Sequence, residues 1–175
     1  MYNGTAAQST GTGLPATVLN LSTTINNAVT LTNPVSITQV LTVGGSGNLV
    51  LNNKALTLLS SASGTALVVN SGSGIVDGAT ATVQRYIDAS GNSGTSGYRH
   101  YAPPVTGSTV ADLATTGFTP VVNNAYNTAA NTLAPAITAQ YPTVYAYDQT
   151  RVGSTTLATN LSAFDQGYVS PGAGK

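Results

Sequence analysis

Side chains that move protons, bind metals or attack carbonyl carbons are scarce in this sequence: 175 residues hold one histidine, five aspartates, no glutamate and no cysteine. Catalytic sites are built from clusters of such groups that perturb one another. The serine-elbow pattern G-x-S-x-G is absent, as are a P-loop, G-x-G-x-x-G and H-E-x-x-H. His100 stands in an alternating Tyr-Arg-His-Tyr stretch (98–101), where it is placed to serve as a base beside an aspartate or to ligate a metal. With no second histidine to share a transition metal, a packed or hydrogen-bonded structural role is the preferred reading. Asp88-Ala89-Ser90-Gly91-Asn92 is oxygen-rich in the manner of a calcium loop. Calcium takes about six to eight oxygens, and an EF-hand loop needs a distal glutamate, so an ordinary Asx turn is preferred. Arg85 and Arg99 pair structurally with Asp88 or Asp148 on this reading. No residue is assigned to catalysis, to a cofactor or to a metal, and the chain is read as a non-enzyme.

Aromatic chemistry is the other candidate. Tyr141, Tyr145 and Tyr147 share strand parity, so with Thr143 they project from one face, either as a platform for sugar rings or as core or subunit-interface packing. Packing is the preferred alternative.

The elements that must carry these residues follow from composition and pattern. The hydrophobic fraction of 41% is ordinary, whereas the charged fraction is 6% against roughly 25% in soluble domains. The five basic and five acidic residues balance and are scattered, which excludes the clustered cations that bind nucleic acid. A surface of Thr, Ser, Asn and Gly gives little like-charge repulsion between copies. No apolar run reaches the roughly 20 residues of a membrane span. The first residues lack the basic and apolar regions of a signal peptide, so a secreted form would be mature or truncated.

Between residues 18 and 81, apolar residues alternate in short pairs such as Val29/Leu31, Val35/Ile37, Leu41/Val43 and Leu56/Leu58. Period-two alternation predicts strands with one buried face. The six-residue recurrence from Val29 to Val43, with turn formers at Asn33-Pro34, Gly44–Asn48 and Asn52-Asn53, predicts a short β-solenoid or tight meander of about three coils. Residues 1–17 form a flexible or strand-donating segment on this reading, with Tyr2, Ala16, Leu19 and Leu21 as the candidate strand-exchange residues. Residues 82–175 hold both phenylalanines and eight of nine tyrosines, which predicts a second, β-sandwich-like or jelly-roll-like lobe. It would contain a hairpin (82–87 with 98–102), one short helix at 110–116 capped by Thr109 and Asp112 and stopped by Gly117, and a strand from Thr143 to Tyr147. The fold class expected is all-β.

Several short motifs occur in a fixed order: Leu56-Thr57-Leu58, Thr82-Val83-Gln84-Arg85-Tyr86-Ile87, Tyr98-Arg99-His100-Tyr101-Ala102-Pro103-Pro104-Val105, Tyr145, Tyr147-Asp148-Gln149-Thr150-Arg151 and Phe164-Asp165-Gln166-Gly167-Tyr168. Across residues 56–170 the chain resembles a β-rich module of large secreted surface proteins of Bacteroidota, exported by the type nine secretion system. That resemblance implies an extracellular location and carries over no catalytic residue. The threonine-rich first lobe also resembles flat β-solenoids that bind ice, but outward positions vary (Ser36, Thr42, Val50, Thr57, Val68). Three glycosylation sequons, at Asn3, Asn20 and Asn160, are expected by chance in so Asn/Ser/Thr-rich a chain.

The functional expectation is therefore an extracellular structural subunit that self-associates into a fibre or layer by strand addition, as a homo-oligomer or homopolymer. An adhesive or glycan-binding module of a larger surface protein is the alternative.

Overall fold

The structure, a computed structural model, describes residues 1–87, 100–124, 126, 142–152 and 167–171. The chain divides into two units, Met1–His100 and Tyr101–Lys175.

The first unit is a parallel β-solenoid of about four turns. Each coil contributes one strand to a narrow sheet and one, or in the third coil two, to a wide sheet. The narrow sheet holds β1 (Gln8–Ser9), β3 (Val29–Thr30), β5 (Leu49–Val50) and β10 (Val76–Asp77) in that spatial order. The wide sheet holds β2 (Thr17–Thr23), β4 (Val35–Val43), β6 (Leu56–Leu58), β9 (Leu67–Asn70) and β11 (Ala81–Val83). The nine-residue β4 is long enough to pair β6 along its first half and β9 along its second.

Alternation explains the core. Inward columns run Val35–Leu56–Ala81 and Val18–Ile37–Leu58–Val83 in the wide sheet, and Val29–Leu49–Val76 in the narrow one. Val29, Ile37, Leu41 and Leu49 are completely buried. Outward positions carry hydroxyls, as in the column Thr17–Ser36–Thr57–Thr82. In-register parallel stacking places like side chains on like, so one alternating pattern per coil satisfies both sheets.

The expected turns are all present. Asn52 and Asn53 both adopt the left-handed conformation (φ 49° and 58°), which asparagine tolerates, and the Lys54 amide closes the turn on the Leu51 carbonyl at 2.8 Å. Gly45 has φ 70°. A side chain on Gly47 would run into the Asn27 carbonyl of the coil below. Glycine at that turn lets the coils approach to backbone contact.

Three expectations need correction. The six-residue recurrence lies within one coil: Val29/Leu31 belong to one side, and Val35/Ile37 and Leu41/Val43 both lie on β4. The coil repeat itself is 21 residues from Gln8 to Val29 and 20 from Val29 to Leu49. Second, the first unit continues past residue 81, because Ala81 and Val83 stack in parallel on Leu56 and Leu58. The predicted hairpin partner for 82–87 falls partly on residues 98 and 99, outside the described residues. Third, residues 1–17 are not a flexible segment but pair with the next coil of their own chain. The Tyr2 amide donates to Ser22 O (2.9 Å), Thr24 N donates to Tyr2 O (3.1 Å), and the Gln8 and Thr10 amides donate to Ala28 and Thr30 carbonyls. Leu21 is buried, whereas Leu19 is exposed at a bulge between Val18 and Asn20. A segment held about twenty residues from its acceptor closes a short loop, which is entropically easier than recruiting a separate molecule.

In the second unit, the helix expected at 110–116 is a single 3-10 turn, Val110–Leu113. Its start is as predicted, with the Thr109 amide and hydroxyl both donating to Asp112 Oδ2 (2.7 and 3.0 Å). The chain then reverses tightly at Gly117, where Thr115 and Phe118 pair. The strand expected from Thr143 shortens to β12 (Ala146–Tyr147), antiparallel to β13 (Tyr168–Val169). Nearly half of the residues expected to form a sandwich-like lobe, 82–175, lie outside the described ones.

Candidate assembly interface

The two ends of the solenoid differ. At the amino-terminal end, Tyr2 lies over Ser22–Thr24, packs against the core, and donates its hydroxyl to Thr10 O at 3.3 Å. Thr10 and Thr32 share a hydroxyl bond of 3.1 Å, and Thr32 donates onward to Gly11 O at 2.6 Å. This coil is closed by polar side chains that use their hydrogen-bonding capacity locally.

At the other end the fourth coil is incomplete. β10 covers β5 and β11 covers β6, but among the described residues no strand covers β9. All four β9 residues are exposed: Leu67, Val68 and Val69 to 51%, 47% and 41%. Val68 continues the column of Leu21 and Leu41, both buried, so its side chain is on the inward face, and among the described residues no strand stacks on it. Ile75, on the following turn, is 54% exposed. Among the described residues, the result is an uncharged apolar edge whose outer backbone groups meet no further strand, the feature that proteins ordinarily cover or charge.

A hairpin shapes one side of this opening. β7 (Ser60–Ser61) and β8 (Gly64–Thr65) pair antiparallel between β6 and β9. Ser60 accepts from the Tyr86 amide at 2.8 Å and donates its own amide to Gln84 Oε1 at 3.3 Å, which anchors the chain as it leaves β11.

The other sequence candidates are dispersed. Tyr145 and Tyr147 do come together, through a residue that parity alone does not identify: Tyr168 on the partner strand, with centroids 6.3 and 5.2 Å away. Tyr126 joins at 5.4 Å from Tyr145. The rings meet edge to face, at 74° to 90°, which is the favoured packing geometry and differs from a coplanar platform. Tyr141 lies outside the described residues. Tyr147 rests on Gly167, where a Cβ would come within 2.6 Å of the ring. Asp148 follows and accepts from the Thr150 amide (3.0 Å) and hydroxyl (2.6 Å). These two bonds, hydroxyl first, hold its carboxyl below the ordinary aspartate value.

His100 is exposed, and Asp88–Asn92 and Arg99 lie outside the described residues. Among the described residues, no three His, Asp or Glu side chains gather as metal ligands would, and no helix is long and apolar enough to cross a membrane. A depression of about 310 Å³ between the third and fourth turns is lined by Leu51, Asn53, Lys54, Ala55, Ala79 and Thr80. These are turn residues with one cation and no converging polar set. The Thr30-Leu31-Thr32 motif does not repeat on other coils, and Thr32 is occupied with Thr10 and Gly11.

No protein-family model, no curated protein and no solved structure matches this chain.

Proposed function

We propose that this protein is an extracellular structural subunit whose copies join by β-strand addition into a fibre or layer. The observation that carries the reading is the β9 edge, where an inward-facing Val68 and its neighbours are exposed and, among the described residues, no further strand pairs. Strand addition would supply main-chain hydrogen bonds and bury the apolar side chains together. The scarcity of ionic groups supports it further, since few like charges oppose contact between copies. The extracellular location rests on the resemblance of residues 56–170 to surface modules. A glycan-binding role has less support, because the tyrosine rings pack on one another.

The test is sedimentation and negative-stain microscopy at rising concentration. Assembly is expected, with little change between low and high salt, because few charges are available to be screened. Val68→Lys places a charge on the open edge and is expected to weaken association at least tenfold, with far-UV circular dichroism unchanged. A strictly monomeric wild type, or a lysine variant that assembles as well as wild type, overturns the reading.

A further inference from the structure

We infer that the copies stack head to tail, with the amino-terminal edge of one solenoid seated in the step left at the carboxy-terminal end of the next. This rests on the self-association reading and specifies its geometry.

The two ends are complementary steps. Among the described residues, the fourth coil supplies a narrow-sheet strand and covers the β6 half of the wide sheet, leaving the β9 half one layer short. The first coil carries an additional partial layer on that same half, because Tyr2 pairs with Thr23, Thr23 with Val43, and Val43 with Asn70. Registers agree as well. Extending the column Gln8–Val29–Leu49–Val76 into a second copy sets its Gln8 beside Val76, a shift of 68 residues. The same shift of 68 sets its Tyr2 beside Asn70, at the open strand. Ser9 then follows Asp77 on the outward column, and Val18 follows Val83 on the inward one.

Charge permits the contact: residues 1–53 carry no ionic side chain, and between Leu67 and Val83 only Asp77 does. Two other occupants fit less well. The stretch that directly follows Ile87 carries only Ala89 as an apolar residue before Tyr98, smaller than the Leu21, Leu41 and Val68 of the column it would extend. Two-fold pairing of β9 with β9 brings the partner's narrow sheet against β10, which stands one layer above β5. The head-to-tail contact is heterologous and does not close, so it propagates as a filament.

The cysteine-free chain allows a direct test. Ser9 and Asp77 are both exposed, and they lie three strand spacings apart within one molecule, roughly 14 Å. That is beyond disulfide reach, whereas adjacent strands at about 4.8 Å are within it. A Ser9→Cys, Asp77→Cys double variant should therefore oxidise to a ladder of covalent multimers. The two single variants should cross-link when mixed and not when alone. Homodimers of Val69→Cys would overturn stacking in favour of two-fold pairing. Multimers in sedimentation without the Ser9–Asp77 cross-link would overturn the stacking while leaving self-association intact. Monomers at every concentration would remove both.

Discussion

At the scale of the residue, the tight points are glycines and a single carboxylate. Gly47 lies against the Asn27 carbonyl, so Gly47→Ala must push two coils apart. A loss of about 1–3 kcal/mol in urea unfolding is expected, as for other overpacked sites. Gly13→Ala, with open space around it, should stay within about 0.5 kcal/mol of wild type. Asp148 makes a prediction about acid. Its folded pKa is depressed by the Thr150 bonds and, to a smaller degree, by Arg151. Its contribution is therefore complete above the unfolded pKa and is lost as pH falls through the folded value. The near-UV tyrosine signal around Tyr147 and Tyr168 should be flat from pH 8 to 5 and decline below about pH 4, and Asp148→Asn should remove that part of the decline. A signal that already changes between pH 8 and 5 would contradict it. None of this is visible in the sequence at Gly47 or Gly167, because what makes a glycine necessary is the backbone or ring stacked against it. Asp112 was legible, since its partner is only three residues away.

At the scale of the element, alternation identified the strands and their buried faces, and Asn-Asn and Gly-rich stretches identified the turns. Pairing was less legible. Neighbours in a parallel solenoid stand about twenty residues apart, and the sequence repeats its polarity without repeating its letters. The hairpin obscured the repeat further: the narrow-sheet offset rises to 27 between Leu49 and Val76. Its removal is therefore a test of the architecture. On β4, only Thr38 and Gln39 separate the residues paired to Leu58 and Leu67, whereas residues 59–66 fill that interval in the third coil. Leu59 and Ala66 already share a 2.8 Å backbone bond. Excising residues 60–65 leaves two residues opposite two. The shortened chain should keep its far-UV spectrum and lose no more than about 1–3 kcal/mol, the worth of the Ser60 hydrogen bonds. Collapse of the fold on excision would mean that the hairpin, and not the ladder, sets the register.

At the scale of the whole molecule, sequence pattern foretold an all-β chain, and both assembly predictions belong here. What composition missed was the difference between the two ends. The amino-terminal residues look like a polar tail because their pairing partners, Ser22 to Thr30, are reached only after the chain has turned a full circuit. Contacts at this fixed separation also allow folding to begin at any coil and spread to its neighbours. The backbone bonds of both sheets join each circuit to the one above, so they lie along the stacking axis of the solenoid. Tension applied in that direction meets one layer of bonds at a time, and a stretched molecule should lengthen by peeling, releasing the 20, 21 or 27 residues of one circuit before the next gives way.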